Sequence, residues 1–204
     1  MAIKVDKDKK RRDIAVSCTE LLFEKGINNL TITEIAKTAG IGKGTVYDYF
    51  GNKEEIVFEI FRNFIEELQQ DIQKHANSQI SSKQKVFLLF DFFLCESKPY
   101  EKHLDVFREY LSISLSSKNQ QMIDFNNECS VFVKNILEQI IESGIENGEI
   151  SATSRQLVDG IIKVERGYMI ISWVEAKDLR AEFKDYINTL FDLVEIKKWR
   201  RFYF

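Results

Sequence analysis

The sequence predicts an all-α fold of about nine helices, on three observations. Apolar residues recur at three- and four-residue spacing through most of the 204 residues, and no stretch alternates for long enough to make a convincing strand. Pro99 is the one proline, so little interrupts long helices. Five of the nine glycines fall between residues 26 and 51, which concentrates the turns in one region near the start.

Taken in order, residues 1–12 form a polar arm carrying Lys4, Lys7, Lys9, Lys10, Arg11 and Arg12. The first helix is expected from about Lys7 to Lys25, with Ile14, Cys18, Leu21 and Leu22 inward and Gly26 ending it. Thr31 is a good N-cap for the second helix, and Glu34 follows three residues later, as in a capping box. Ile32, Ile35, Ala36 and Ala39 then repeat at helical spacing until Gly40, which can take the left-handed conformation. Ile41 anchors the turn. A short third helix follows, with Val46 and Phe50 on its inner face and Lys43, Thr45, Tyr47, Asp48 and Tyr49 mostly outside. The fourth helix begins near Asn52 and carries a wide apolar stripe of Ile56, Val57, Ile60, Phe61, Phe64 and Ile65.

Beyond it, Val86 to Leu94 is apolar almost all round, as a buried helix would be. Lys98-Pro99 breaks the chain, and Leu104, Phe107, Leu111 and Leu115 resume the period. Phe125, Cys129, Phe132, Ile136 and Ile140 mark the next helix, closed by a turn from Gly144 to Gly148. The last two helices are expected over Ser154–Val174 and from Leu179 to about Lys198. The basic and aromatic tail from Lys197 to Phe204 reads best as a helix end whose rings pack back on the bundle.

Composition narrows the function. A hydrophobic content of 44% supports a real core and excludes disorder. The polar N-terminus lacks the apolar stretch of a secretory signal. The most apolar run, Val86 to Cys95, is interrupted by Asp91 and is too short to cross a bilayer. Cys18, Cys95 and Cys129 are odd in number and widely spaced, which fits a reduced, cytoplasmic protein with no membrane partner. Residues 1–53 hold ten Lys or Arg against seven Asp or Glu, whereas residues 54–204 hold 19 against 25. A basic beginning and an acidic remainder suit a chain that touches phosphate with one end. The two histidines lack metal-ligand spacing, and no nucleophile elbow or phosphate loop is present. Neither an enzyme, a metal site nor a cofactor is expected.

A short helix with small, hydroxyl and basic residues outside, placed after a tight turn, suits insertion into a major groove. The pattern Thr31-x-x-x-Ile35-Ala36-x-x-Ala39-Gly40-Ile41-x-Lys43-Gly44-Thr45-Val46-Tyr47-x-Tyr49-Phe50-x-x-Lys53 resembles the DNA-binding domain of the TetR/AcrR family of transcriptional regulators. The resemblance covers roughly residues 10–60. It implies a division into a helix-turn-helix domain with its basic arm (1–52) and a ligand-binding and dimerisation domain (53–204). It also implies roles by position. Thr31, Tyr47, Tyr49 and Lys53 would hold phosphates, while Thr33, Lys43, Gly44, Thr45 and Asp48 would lie closest to base edges. Gly42 departs from the serine that often caps this helix in the family, so the helix start has no side-chain acceptor.

The same resemblance implies a small effector in the C-terminal bundle. Eight of the 16 phenylalanines lie between residues 58 and 107. From these, Phe61, Phe64, Phe87, Phe90, Phe93 and Phe107 are candidates to wall a pocket. Asp91 and His103 are its candidate polar groups, beside Arg108, Glu165 and Arg166, and Tyr168 and Trp173 are contributors from the penultimate helix. A largely apolar pocket suits a hydrophobic effector, and a cationic one if Asp91 faces it. Family members dimerise through their last two helices. Here Leu157, Ile161, Val164, Tyr168 and Ile171 would form one face of the seam, and Phe183, Ile187, Leu190 and Val194 the other. The expectation is a homodimeric, ligand-responsive repressor of a palindromic double-stranded DNA operator. The alternative is a helical sensor that works through a protein partner, its helix-turn-helix serving only as packing.

Overall fold

The computed structural model describes residues 6–76, 80–95, 98–116 and 119–196. Lys4 of the basic arm and the tail from Lys197 to Phe204 lie outside the described residues. Among those described are eleven α-helices: α1 (Lys7–Ser17), α2 (Thr19–Asn29), α3 (Ile32–Thr38), α4 (Lys43–Tyr49), α5 (Lys53–Ala76), α6 (Ser82–Leu89), α7 (Asp91–Leu94), α8 (Lys98–Ser116), α9 (Gln120–Glu146), α10 (Val158–Glu175) and α11 (Arg180–Val194). One 3-10 helix (Ala152–Leu157) leads into α10.

Two expected helices are each divided. The one over Lys7–Lys25 breaks at Cys18, whose φ of −97° and ψ of 1° leave the helical region. The Ser17 hydroxyl donates to the Ile14 carbonyl at 2.7 Å there, and the Cys18 amide turns to Ala15 at 3.0 Å. The helix over Val86–Leu94 bends at Phe90, with φ −98° and ψ 14°. Other boundaries follow local chemistry. The Ser81 hydroxyl and the Gln84 side chain cap one another's backbone at the start of α6. Gly148 takes φ +65° after α9.

Contacts group the chain into two compact units, residues 1–68 with 96–127 and residues 69–95 with 128–204. The first unit therefore extends beyond residue 52 and includes α8. Its core joins Ile14, Leu22, Ile35, Val46 and Phe50 of the first four helices to Ile56 and Val57 of α5, all at most 2% exposed. An aromatic group adjoins them. Phe58 stacks on Phe125 at 4.8 Å between centroids, and Phe61 lies 5.6 Å from Tyr110. The Tyr110 hydroxyl, fully buried, donates to the Met122 carbonyl at 3.0 Å.

The α2–α3 turn is held from two sides. Gly26 has φ +70° and turns the chain within α2. The Glu109 carboxylate of α8 accepts the amides of Ile27 at 2.7 Å and Asn28 at 3.0 Å, and the Asn28 side chain at 2.6 Å. Lys53 at the start of α5 donates its Nζ to the carbonyls of the same two residues, both at 2.9 Å. Backbone donors and acceptors left open at the helix end, part-buried at Ile27 and exposed at Asn28, are thus satisfied by opposite charges.

The second unit centres on Phe183 of α11, which is fully buried. Its ring lies 5.6 Å from Phe90, 5.9 Å from Phe93 and 5.6 Å from Tyr168. Ile161 and Ile187 are also fully buried beside it, with Ile140, Ile150 and Phe191 nearly so. A short antiparallel bridge between Ile150 and Glu195 ties the α9 turn to the end of α11.

Gly26 offers a direct test of the held turn. A Cβ there would lie 2.6 Å from Glu109 Oε2 on a backbone that side chains disfavour. Gly26→Ala should therefore cost at least about 1–3 kcal/mol in urea unfolding, with an unchanged m-value. Gly44→Ala, where open space surrounds the added atom, should cost nothing of the kind.

Candidate nucleic-acid interface

The helix-turn-helix is built as its residues require. Thr31 accepts the Glu34 amide at 3.3 Å, and its hydroxyl donates to the Glu34 carboxylate at 2.8 Å. Lys25 pairs with the same carboxylate at 3.1 Å. These partners hold the Glu34 carboxyl below the usual carboxylate range, the Thr31 bond foremost. At the other end of α3, Gly40 takes φ +65°. The Ile41 amide reaches the Ala36 carbonyl at 3.0 Å, and the Gly40 amide that of Lys37 at 3.2 Å. This is a Schellman closure. Gly42 begins α4 without a side-chain cap, as its missing side chain dictates.

Val46 and Phe50 seat α4 on the core, at 0% and 1% exposure. Lys43, Gly44 and Asp48 are exposed, Tyr47 is 58% exposed, and Thr45 and Tyr49 are half-buried. Thr31 and Thr33 are exposed at the start of α3. The expected base-reading and phosphate-holding residues on α3 and α4 thus share one small helical pair. Lys53 is half-buried, and its ammonium holds the α2–α3 turn.

Arg11, counted with the cations of the basic arm, lies within the helix expected from Lys7, which Asp6 caps through the Lys9 amide at 3.1 Å; its side chain turns inward to partners that the sequence does not mark. Arg11 Nη1 donates to the Tyr49 carbonyl at 2.6 Å, at the C-terminal end of α4. Glu59 holds its Nε at 3.1 Å and Glu55 its other arm at 3.5 Å, and the guanidinium lies 4.5 Å from the Phe50 ring centre. A cation against the last carbonyls is where a helix dipole favours one. Arg12 pairs with Glu66 at 2.6 Å. No local pattern marks these pairings, since the partners lie 38 to 54 residues away.

The expected ligand-binding residues divide between the two units. Phe61, Phe64, His103 and Phe107 lie in the first, and Phe87, Phe90, Asp91, Phe93, Tyr168 and Trp173 in the second. Phe61, Phe90 and Phe93 are buried in core contacts. Asp91 is half-buried, and burial pushes its carboxyl up against the opposing pull of Lys184. In the first unit a cavity of about 680 Å³ is lined by Phe23, Asn63, Phe64, Lys102 and His103, among others. Only Phe64 and His103 of the expected set line it. Asn63 is a further residue that sequence reading passed over. It is 7% exposed, and neither of its amide atoms has a hydrogen-bond partner. Leaving such a group unpaired costs about 1–3 kcal/mol. Its visible signal was a polar residue at a stripe position, three after Ile60.

The expected dimer face also needs correction. Ile161, Phe183 and Ile187 are fully buried within the chain itself, because the second unit uses them as its own core. Leu157, Val164, Leu190 and Val194 are half-buried. The apolar side chains left exposed on these helices are Ile170, Ile171 and Val174 of α10 and Leu193 of α11. Glu165 of α10 is buried beside Arg166, whose Nε lies 4.0 Å away.

Other chemistry is scarce. Cys18 is fully buried, and burial pushes its thiol up, away from the reactive thiolate. Among the described residues no cluster of His, Cys, Asp or Glu could hold a metal ion, and no helix is long and apolar enough to cross a membrane.

An all-α chain that presents a short exposed helix after a Schellman turn belongs to the class of helix-turn-helix regulators. Residues 17–60 match the family described as bacterial regulatory proteins, tetR family. The fatty acid metabolism regulator protein of Bacillus subtilis (strain 168) is 30% identical over 164 residues, which cover 75% of this chain and 79% of that protein. A TetR transcription regulator from Haloarcula marismortui ATCC 43049 shares the fold, with a TM-score of 0.73 at 16% identity over 92% of this chain and 99% of that one. The regulator FadR from Bacillus subtilis, solved in complex with stearoyl-CoA, gives a TM-score of 0.54 at 26% identity over 88% and 96%. The chain belongs to the TetR family of transcriptional regulators.

Burial lifts the Glu165 carboxyl from its ordinary 4.5 to about 7, which Arg166 only partly opposes. A carboxyl harder to ionise folded than unfolded binds more protons in the folded state. Stability should therefore fall as pH rises from about 4.5 to about 7 and level off above. Glu165→Gln should remove this slope and gain on the order of 2 kcal/mol at pH 8, as read by urea unfolding at several pH values.

Proposed function

We propose that this chain is a ligand-responsive repressor that binds a palindromic DNA operator as a homodimer and is released by a small hydrophobic effector. The observation that carries the reading is α4, a helix seated by Val46 and Phe50 that leaves Lys43, Gly44, Tyr47 and Asp48 outside. Lys43 would donate to a guanine edge, and the Thr45 methyl would meet a thymine methyl. Thr31, Tyr47 and Tyr49 would fix the register on phosphates, and Thr33 would lie near base edges with Lys43 and Thr45. One seven-residue helix reads too few base pairs for specificity, which favours two copies on two half-sites.

The exposed apolar residues of α10 and α11 support a partner copy there. Ile170, Ile171 and Val174 lie within one turn, and Leu193 adds to them from α11. For the effector, the resemblance to regulators of fatty acid metabolism and to one solved with stearoyl-CoA favours a long-chain acyl thioester over the cationic ligand that Asp91 alone would suggest. The α2–α3 turn supports a mechanism for release. Glu109 links α8 to the end of α2, the segment that leads into α3 and α4, so an effector that shifts α8 would disturb the start of the helix-turn-helix.

Gel-shift titration against a selected operator tests the reading, with stearoyl-CoA added in a second series. The complex should form, weaken with salt and dissociate on adding the thioester. A protein that acts only through a protein partner would give no shift. Lys43→Ala should relax preference at one base position per half-site, at about 1–3 kcal/mol, while Tyr47→Ala should weaken all DNA alike. Equal loss on specific and random DNA for Lys43→Ala would refute base reading.

Sedimentation at micromolar concentration should show a dimer. Val174→Glu should yield folded monomers with weakened operator binding, whereas Ile161→Glu should unfold the chain because that side chain is core. A monomeric unmutated protein would refute the dimer.

A further inference from the structure

The cavity in the first unit has features that neither DNA binding nor a thioester effector explains. Its walls come from four helices. Val16 belongs to α1, Phe23 to α2, Ile60, Asn63 and Phe64 to α5, and Lys102 and His103 to α8. Three rings meet in the wall, inclined to one another. His103 lies 4.5 Å from Phe23, edge to face, and 4.4 Å from Phe64 between centroids. Flat ligands pair well with such walls. The rim carries Lys102, which is already paired with Glu20 at 3.2 Å, and a second carboxylate, Glu67. That balance gives an anion no advantage.

Asn63 supplies what an aromatic wall lacks. It lines the cavity, is more than nine-tenths buried, and both its amide nitrogen and oxygen are without a hydrogen-bond partner. The terminal torsion of an asparagine is soft, so its edge can turn toward an occupant. A carboxamide offers one donor beside one acceptor and is completed by a ligand edge of the reverse order. Asparagine reads adenine in this way in DNA grooves.

We propose that this cavity binds a neutral, flat heteroaromatic molecule that carries an N–H and an acceptor side by side on one edge, held by Asn63 and packed by face and edge against the rings of Phe23, Phe64 and His103. Lactam-type heterocycles and nucleobases share this chemistry. The site is separate from the effector reading above, and its occupant would touch α2 and α8, the two helices that Glu109 joins.

The test is isothermal titration of the full chain, without DNA, using isoquinolin-1-one, adenine and N-methylisoquinolin-1-one. One of the first two should bind in the micromolar range, and which one does distinguishes a lactam from a nucleobase. If it is the lactam, the N-methyl analogue, which has lost the donor, should bind at least about tenfold more weakly. Asn63→Leu should weaken the binding probe by at least about tenfold, and His103→Ala should weaken it through the lost wall. If Asn63→Leu does not fold, Asn63→Ser should show the same loss. Binding of both probes weaker than about 1 mM, or binding unchanged in the Asn63 variants, overturns the proposal. Because no DNA is present, neither result depends on whether the operator reading is right.

Discussion

The turn at Ile27–Asn28 is the point on which the first unit depends. Its amides are taken by Glu109 from α8, and its carbonyls by Lys53 from the start of α5. Each charge meets the backbone groups of opposite polarity that a helix end leaves open. Gly26 is needed because a side chain would strike the Glu109 carboxylate on a left-handed backbone. The segment between α2 and α3 is thereby set, and with it the start of the helix-turn-helix. Exposed ion pairs add little, but charge-assisted bonds to buried or half-buried backbone are stronger and more directional.

A second constraint acts on α4 itself. Seven residues make a marginal helix alone, so its geometry comes from what holds its ends. The Gly40 closure positions its beginning, and Arg11 bonds the Tyr49 carbonyl at its end. Glu55 and Glu59 hold Arg11 in turn, so the first turns of α5 support the far side of α4. Between these anchors, Val46 and Phe50 point inward, which turns Lys43, Tyr47 and Asp48 outward by helical geometry alone. The proposed reading face is thus a consequence of packing on its other side.

Much of this was legible in the sequence because it is local. Thr31 with Glu34, Gly40 before Ile41, and the four-residue step from Val46 to Phe50 are patterns that one window contains. Long-range pairings were not legible. Arg11 looked like one more cation in a basic arm, and nothing beside it announced Tyr49 or Glu59. The break at Cys18 was hidden because the apolar period runs on through Leu21 and Leu22 without a glycine or proline. The aromatic residues were recognised as a group but not apportioned, since helical spacing says that Phe61 and Phe90 face inward without saying that they serve different units. Ile161, Phe183 and Ile187 show the same limit: an apolar face is visible in sequence, but whether the chain or a partner covers it depends on tertiary packing.

The proposed repressor function depends most directly on α4 meeting a defined DNA sequence twice. Selection of bound sequences from a random duplex pool by the unmutated chain measures this. A dimeric reader should enrich a palindrome whose half-site centres are separated by about one helical turn or a multiple of it. Recovery of unenriched sequences, held only by a salt-sensitive attraction common to all DNA, would contradict it.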